Sequence, residues 1–249
     1  MPDVSARRKL GGYIGIVAVT LLAGLTLKTF VIDAFCVPSR SMEPTLLAGD
    51  YVFVNKLIYG ARVPRLFHFL QFNRFPGLKQ IERGDVIFFE FPDPSSGRAY
   101  FVKRCIALAG DTIEFRNNHI YINCTEVNVY TQSDSGWNGD EKFIIPRKGD
   151  VVSLTPVSYR RWAGLIRNEG HRIECSGSDV LVDGAVVTRY GVEKNYLFVL
   201  GDNIDHSYDS RAWGFLPEDN VEGKAMMIYL SRDISQSAIR WNRIGKFVY

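Results

Sequence analysis

Along its hydrophobic and polar positions the chain divides into one long apolar run and a series of short alternating ones. Leu10 to Leu27 carries no charge, and Lys28 is the only charged residue between Leu10 and Ile32. About 20 apolar residues cross a hydrocarbon core of about 30 Å, so this run predicts a membrane-spanning helix with Lys28 reaching outward. After it come "DYVFVNKLIYG", "GDVIFFEF", "YFVKRCIAL", "DTIEFRNNHIYIN", "DVLVDGAVVTRY", "NYLFVL" and "GKAMMIYLS". These β-branched and aromatic runs, bounded by Gly, Asp, Asn or Pro, predict strands. Asp183 and Gly184 give a hairpin signal. No helical stripe of comparable strength follows the first run. The expected fold class is therefore mainly β, one transmembrane helix followed by a β-rich domain, with the loop-rich stretch 117–178 as an inserted subdomain.

A cleaved secretory signal is the competing reading of the first run. Arg7, Arg8 and Lys9 would suit it, but an apolar run longer than about 15 residues and no A-x-A exit favour an uncleaved anchor. The same three basic residues keep the N-terminus in the cytoplasm and leave the rest outside. The expected division is a cytoplasmic 1–9, an anchor at 10–32 and an extracytoplasmic domain at 33–249. The stretch "PRLFHFLQFNRFPGLK", residues 64–79, has two open readings, a segment on the lipid headgroups or a loop over the core.

Composition narrows the function classes. With 249 residues, 46% of them apolar, the chain can bury a sizeable core. A net charge of +3 without long single-sign blocks gives no case for nucleic acid as a partner. The four cysteines (Cys36, Cys105, Cys124, Cys175) lack CxxC spacing, so a zinc site is not expected; the expectation for cofactors is none. A Cys124–Cys175 disulfide stays open, because connectivity cannot be read from sequence.

The chemistry concentrates just past the anchor. "PSRSMEPTL", Pro38 to Leu46, sets Ser39 and Ser41 in one turn. A serine hydroxyl is a poor nucleophile without a neighbouring base. His68, His119 and His171 lie in segments with no catalytic pattern, whereas His206 lies in "GDNIDHSYDSRAWGFLP". Lys103, in "YFVKRCIALAGD", is the other candidate base, although the residues alone also allow an ordinary exposed strand lysine.

Taken together, "PSRSMEPTL", "RGDVIFFEFP", "YFVKRCIALAGD" and "GDNIDHSYDSRAWG" resemble, in order and spacing, the boxes of type I signal peptidases. The resemblance runs from the anchor to "IRWNRIGKFVY". It implies a bacterial serine endopeptidase of the cytoplasmic membrane that removes signal peptides from exported precursors at the outer face, with signal peptides and membrane lipid as partners. It implies Ser41 as nucleophile, Lys103 as general base, and Ser39 with the Ser41 amide as oxyanion hole. It further implies Ser207 as the residue orienting the lysine, and Asp202, Asp209 and Arg211 as polar braces around it. Phe35, Val37, Met42, Leu46 and Val102 are implied to wall shallow pockets for small side chains. Ile204, His206 and Ala109 depart from the family's usual residues.

The physics agrees with such a site. A lysine titrating near 10.4 is a base only when neutral, and burial lowers that value. Phe101, Val102, Cys105 and Ile106 can supply the burial. From Ile32 to Ser41 the chain reaches at most about 30 Å, which tethers the serine near the membrane surface. Two rivals remain at this level, another Ser–Lys peptidase or an idle membrane-tethered β domain that binds a partner. Among the former a self-cleaving repressor lacks an anchor while a conjugation-type maturation peptidase stays open, and the idle domain would not require both Ser41 and Lys103 in matching boxes.

Overall fold

The computed structural model describes residues 4–63, 74–91, 99–116, 119–130, 141–234, 236 and 238–249. The apolar run forms helix α1 (Val4–Phe30), whose stretch Tyr13–Phe30 has no buried residue and is long enough to cross a membrane. The helix ends two residues short of the expected boundary, because Ile32 already opens a strand, β1 (Ile32–Cys36). Three strands follow: β2 (Asp50–Asn55), β3 (Val86–Glu90) and β4 (Tyr100–Ala107).

The chain then leaves this sheet. A second, four-stranded sheet contains β5 (Thr112–Arg116), β6 (His119–Ile122), β7 (Thr125–Tyr130) and β8 (Glu141–Ile144), in the order β7-β6-β5-β8. Beyond it come β9 (Val151–Ser153), helix α2 (Tyr159–Asn168), β10 (Ile173–Ser176), β11 (Asp179–Val182), β12 (Ala185–Val186) and β13 (Arg189–Gly191). The chain returns with β14 (Tyr196–Leu200), helix α3 (Ser210–Trp213), β15 (Leu216–Pro217) and the long β16 (Val221–Ser231). The main sheet runs β1-β2-β16-β3-β4-β14-β15, with every pairing antiparallel.

Mainly β is what the alternating runs predict, and each quoted run holds a strand. At the hairpin signal, Asp183 and Gly184 both adopt positive φ, 52° and 83°, and join β11 to β12. Helix α2 was not expected. Its sequence "YRRWAGLIRN" is short and polar, and it is a helix because Ala163, Leu165 and Ile166 bury one face in the core shared with Tyr196 and Phe198. All four cysteines are free, so the Cys124–Cys175 bridge is not formed.

One local device recurs at four places where the chain turns into a strand after Gly-Asp. In 47–50, 82–85, 108–111 and 147–150 the Asp carboxylate accepts the N–H three residues back, at 2.8, 3.0, 2.8 and 2.9 Å. The preceding glycine (Gly49, Gly84, Gly110 or Gly149) has φ near +90°, a value that side-chain-bearing residues avoid. The carboxylate thus satisfies a backbone donor that the turn would leave unpaired.

The aromatic stretch lies largely outside the described residues, as does His68. Its described end is anchored. Arg74 donates to the carbonyls of Tyr59 and Gly60 at 3.2 and 3.0 Å, and Phe75 meets Phe30 of α1 edge to face at 5.8 Å.

Candidate active site

The turn after β1 carries both candidate serines. Val37 N–H donates to Asp50 and Gly49 N–H donates back to Val37, each at 2.8 Å, so the loop from 38 to 48 is pinched at its base. Within it, Leu46 N–H donates to Met42 O at 2.8 Å, closing one tight turn just after Ser41. The Glu43–Pro44 peptide is cis. Met42 and Leu46 are fully buried with Val37, Val52, Val86 and Val248. That apolar plug fixes the turn from below.

Lys103 approaches from β4, paired in register with Ile87 of β3. Its Nζ donates to Ser41 Oγ at 2.5 Å, and both residues are buried, with 4% and 6% of their surface exposed. Among the described residues no carboxylate forms an ion pair with it. Burial pushes the Lys103 ammonium down to about 8, against the pull of Asp209 and Asp202 and with help from Arg211. Near pH 8 the amine is therefore half neutral and able to take a proton from the hydroxyl beside it.

A third segment, 201–211, closes over the serine turn. Asn203 N–H donates to Ser41 O at 3.0 Å, and its side chain donates to Arg40 O at 3.1 Å. Gly201 permits this approach, because a Cβ there would fall 2.4 Å from Ser41 O and 2.2 Å from Ser207 Oγ. Asp209 accepts from Gly201 N–H at 3.1 Å and caps α3 through Arg211 N–H. Arg211 grips that carboxylate and also reaches Ile204 O at 2.6 Å. Asp202 instead takes a two-pronged bond from Arg104, at 2.7 and 2.6 Å, tying the segment to β4.

The sequence-derived residues are thus distributed unevenly. Ser39 Oγ lies 3.2 Å from Ser41 Oγ. Ser207 sits in the closing segment, but its buried hydroxyl has no hydrogen-bond partner, so the expected bond to Lys103 is not formed. The hydroxyl fills the space that Gly201 leaves by lacking a Cβ. A cleft of about 280 Å³ opens beside Ser41 and Lys103, lined among others by Phe35, Val37, Met42 and Val102. Leu46 does not line it. It belongs to the plug under the turn, fully buried among the apolar residues there.

Sequence reasoning passed over Asn203, Arg104, Phe88, Tyr100 and Tyr208. Phe35 stacks on Phe88 at 3.6 Å, Phe88 stacks on Tyr100 at 5.3 Å, and Tyr100 and Tyr208 also line the cleft. Asn203 was visible inside the quoted "GDNIDHSYDSRAWG", but no spacing rule says that its amide reaches Ser41. His206 also lines the cleft and faces Asn203 Oδ1 at 3.3 Å. His119 and His171 pair elsewhere, with Glu126 and with Asp183 and Glu193.

The family described as signal peptidase, peptidase S26, matches residues 10–230 of this chain. A signal peptidase I of Aquifex aeolicus is 34% identical over 85% of this chain and 80% of its own length. One of Pseudomonas aeruginosa is 30% identical over 83% of this chain and 68% of its own. A crystal structure of a signal peptidase I from Enterococcus faecalis V583 aligns over 59% of this chain and 98% of its own at 23% identity, with a TM-score of 0.31.

Proposed function

The chain belongs to the signal peptidase, peptidase S26, family, and we propose that Ser41 and Lys103 are the pair through which it works. As a member it is a membrane-anchored serine peptidase that removes signal peptides from precursor proteins. The roles of individual residues are our reading. The observation that carries it is the contact of 2.5 Å between a buried amine and a buried hydroxyl, with the amine lowered to about 8.

In this reading the neutral Lys103 amine takes the Ser41 proton as Oγ attacks the scissile carbonyl. The oxyanion that forms is met by the Ser41 N–H and the Ser39 hydroxyl. Lys103 then gives its proton to the departing amine, which becomes the N-terminus of the mature protein. Water, activated by the same amine, releases the signal peptide from Ser41. Asn203, Gly201 and the Asp209–Arg211 pair hold the nucleophile turn against β4.

The cleft suits an extended chain. Among the described residues β1 pairs with β2 alone, and β14 pairs β4 only from Arg104 onward, so β1 and residues 101–103 of β4 each present a strand edge. A substrate strand can bond to either edge. The Phe35–Phe88–Tyr100 stack leaves room for small side chains, so Ala before the cut and at the third position is favoured. Arg7, Arg8 and Lys9 put the N-terminus in the cytoplasm, and the short tether to Ser41 holds the site beside lipid headgroups on the far side. Incubating the detergent-solubilised protein with a secretory precursor tests the proposal. Cleavage by wild type and none by Ser41→Ala supports it, whereas equal cleavage by both refutes it.

A further inference from the structure

The Gly-Asp turns are alike in build, but one of them differs in what it holds. In the turn at 47–50 the carboxylate of Asp50 is fully buried. It accepts from Leu47 N–H at 2.8 Å, from Ser231 Oγ at 2.5 Å and from the guanidinium of Arg243, whose Nη2 lies 2.5 Å away. The same Nη2 donates to Thr45 O at 2.9 Å, at the far end of the tight turn that begins beside Ser41. Arg243 therefore caps the carbonyl end of the nucleophile's own turn while neutralising the carboxylate that closes the loop.

The rest of the C-terminal segment converges on the same loop. Arg240 donates to Ala48 O and to Arg232 O. Arg232 N–H donates to Gly49 O at 2.9 Å, and Arg232 O sits where a Cβ on Gly49 would fall, 2.0 Å away. Val248 packs into the plug with Met42 and Leu46. Arg104, already bound to Asp202, reaches Thr45 Oγ1 at 3.3 Å and Tyr249 O at 2.8 Å. Asn203 holds the turn from the Ser41 side, and Arg232, Arg240, Arg243 and Val248 hold it from the Thr45 side.

We propose that Arg243 is a positioning residue for the nucleophile, setting the Ser41 hydroxyl against Lys103 through Thr45 O and Asp50. The proposal rests on the reading that Ser41 is the nucleophile. A displacement of about 1 Å at a reacting atom can cost about a hundredfold in rate, so loss of the cap should appear in kcat rather than in KM. Lys103 keeps its own surroundings, so the pH dependence of the rate should not move.

The test uses the full chain in detergent, with active enzyme counted by a serine-directed covalent titrant. Arg243→Met is expected to lower kcat by about ten- to a hundredfold with KM within about twofold. It also strands the buried Asp50 charge and lowers stability. Arg243→Met with Asp50→Asn removes that charge and keeps an acceptor for Leu47, so thermal stability should recover while kcat stays low. A double variant with wild-type kcat would overturn the proposal, since it would reduce Arg243 to a counter-charge. Arg83→Met is the matched control, because Arg83 makes the same two-pronged bond to Asp111 in the turn at 108–111, away from the serine loop. Its kcat should be unchanged, and an equal fall there would make the Arg243 effect a general loss of stability and also overturn the proposal. Ser41→Ala in parallel separates the two readings: activity in that variant sinks the nucleophile assignment itself.

Discussion

Arg211 closes on the carboxylate of Asp209 with Nε at 2.8 Å and Nη2 at 2.9 Å, and the pair lies buried within electrostatic reach of Lys103. Asp209 favours the charged lysine and Arg211 opposes it, so the two act in opposite directions. Burial is left to decide, and it favours the neutral amine.

Breaking that pair should retune the base. Arg211→Gln leaves Asp209 facing Lys103 without its counter-charge, which raises the lysine pKa. The ascending limb of kcat/KM should move to higher pH, and the buried unpaired carboxylate should lower stability by about 3 kcal/mol. A pH–rate series with thermal melts checks both, and an unmoved limb would count against the electrostatic account.

Lys103 should itself cost stability. Its folded value of about 8 lies below the ordinary 10.5, so the unfolded chain binds the proton more tightly. The penalty is fully present below pH 8 and disappears as pH rises toward 10.5. Lys103→Met should therefore be more stable than wild type at pH 6, by about 3 kcal/mol, with the gap closing at alkaline pH. Denaturant melts at several pH values measure it. A gap that is constant with pH would show that folding leaves the lysine at its ordinary pKa, with the amine still charged near pH 8.

His206 should be dispensable. It is exposed, and its ring faces Asn203 rather than Ser41. His206→Asn is expected to retain most of the cleavage rate with the same alkaline limb. A fall of about a thousandfold in that rate would transfer the base role to it.

Side-chain selection should follow the aromatic stack. Phe88→Ala or Phe35→Ala opens the cleft, so residues larger than Ala should be tolerated at the third position before the cut. Profiling a precursor library with wild type and both variants reads this directly. Identical profiles would separate the stack from substrate choice.

How much of this was legible in the sequence follows the range of the interactions involved. The strands could be read because alternation and Gly-Asp punctuation are local, and so could the hairpin at Asp183–Gly184. The short edge strand β1 and helix α2 could not, since both owe their conformation to partners far along the chain, Val52 and Phe53 for one and Tyr196 for the other. In the site, the resemblance pointed to Ser41, Ser39 and Lys103, which lie within bonding distance. It placed Leu46 in the cleft and a bond on Ser207, and neither is there, because packing under the turn and against Gly201 decides those positions. Arg243 follows no pattern in its own neighbourhood, since its partners lie 193 and 198 residues away.

The central claim is that a neutral Lys103 amine takes the Ser41 proton. The most direct measurement is the titration of the Lys103 Nζ resonance in selectively labelled full-length enzyme, set beside kcat/KM against pH for a precursor peptide. The account predicts that both report one ionisation near 8, and that the resonance keeps its titration in Ser41→Ala while turnover vanishes. A lysine that stays charged to about 10.4 while activity rises near neutrality would contradict it.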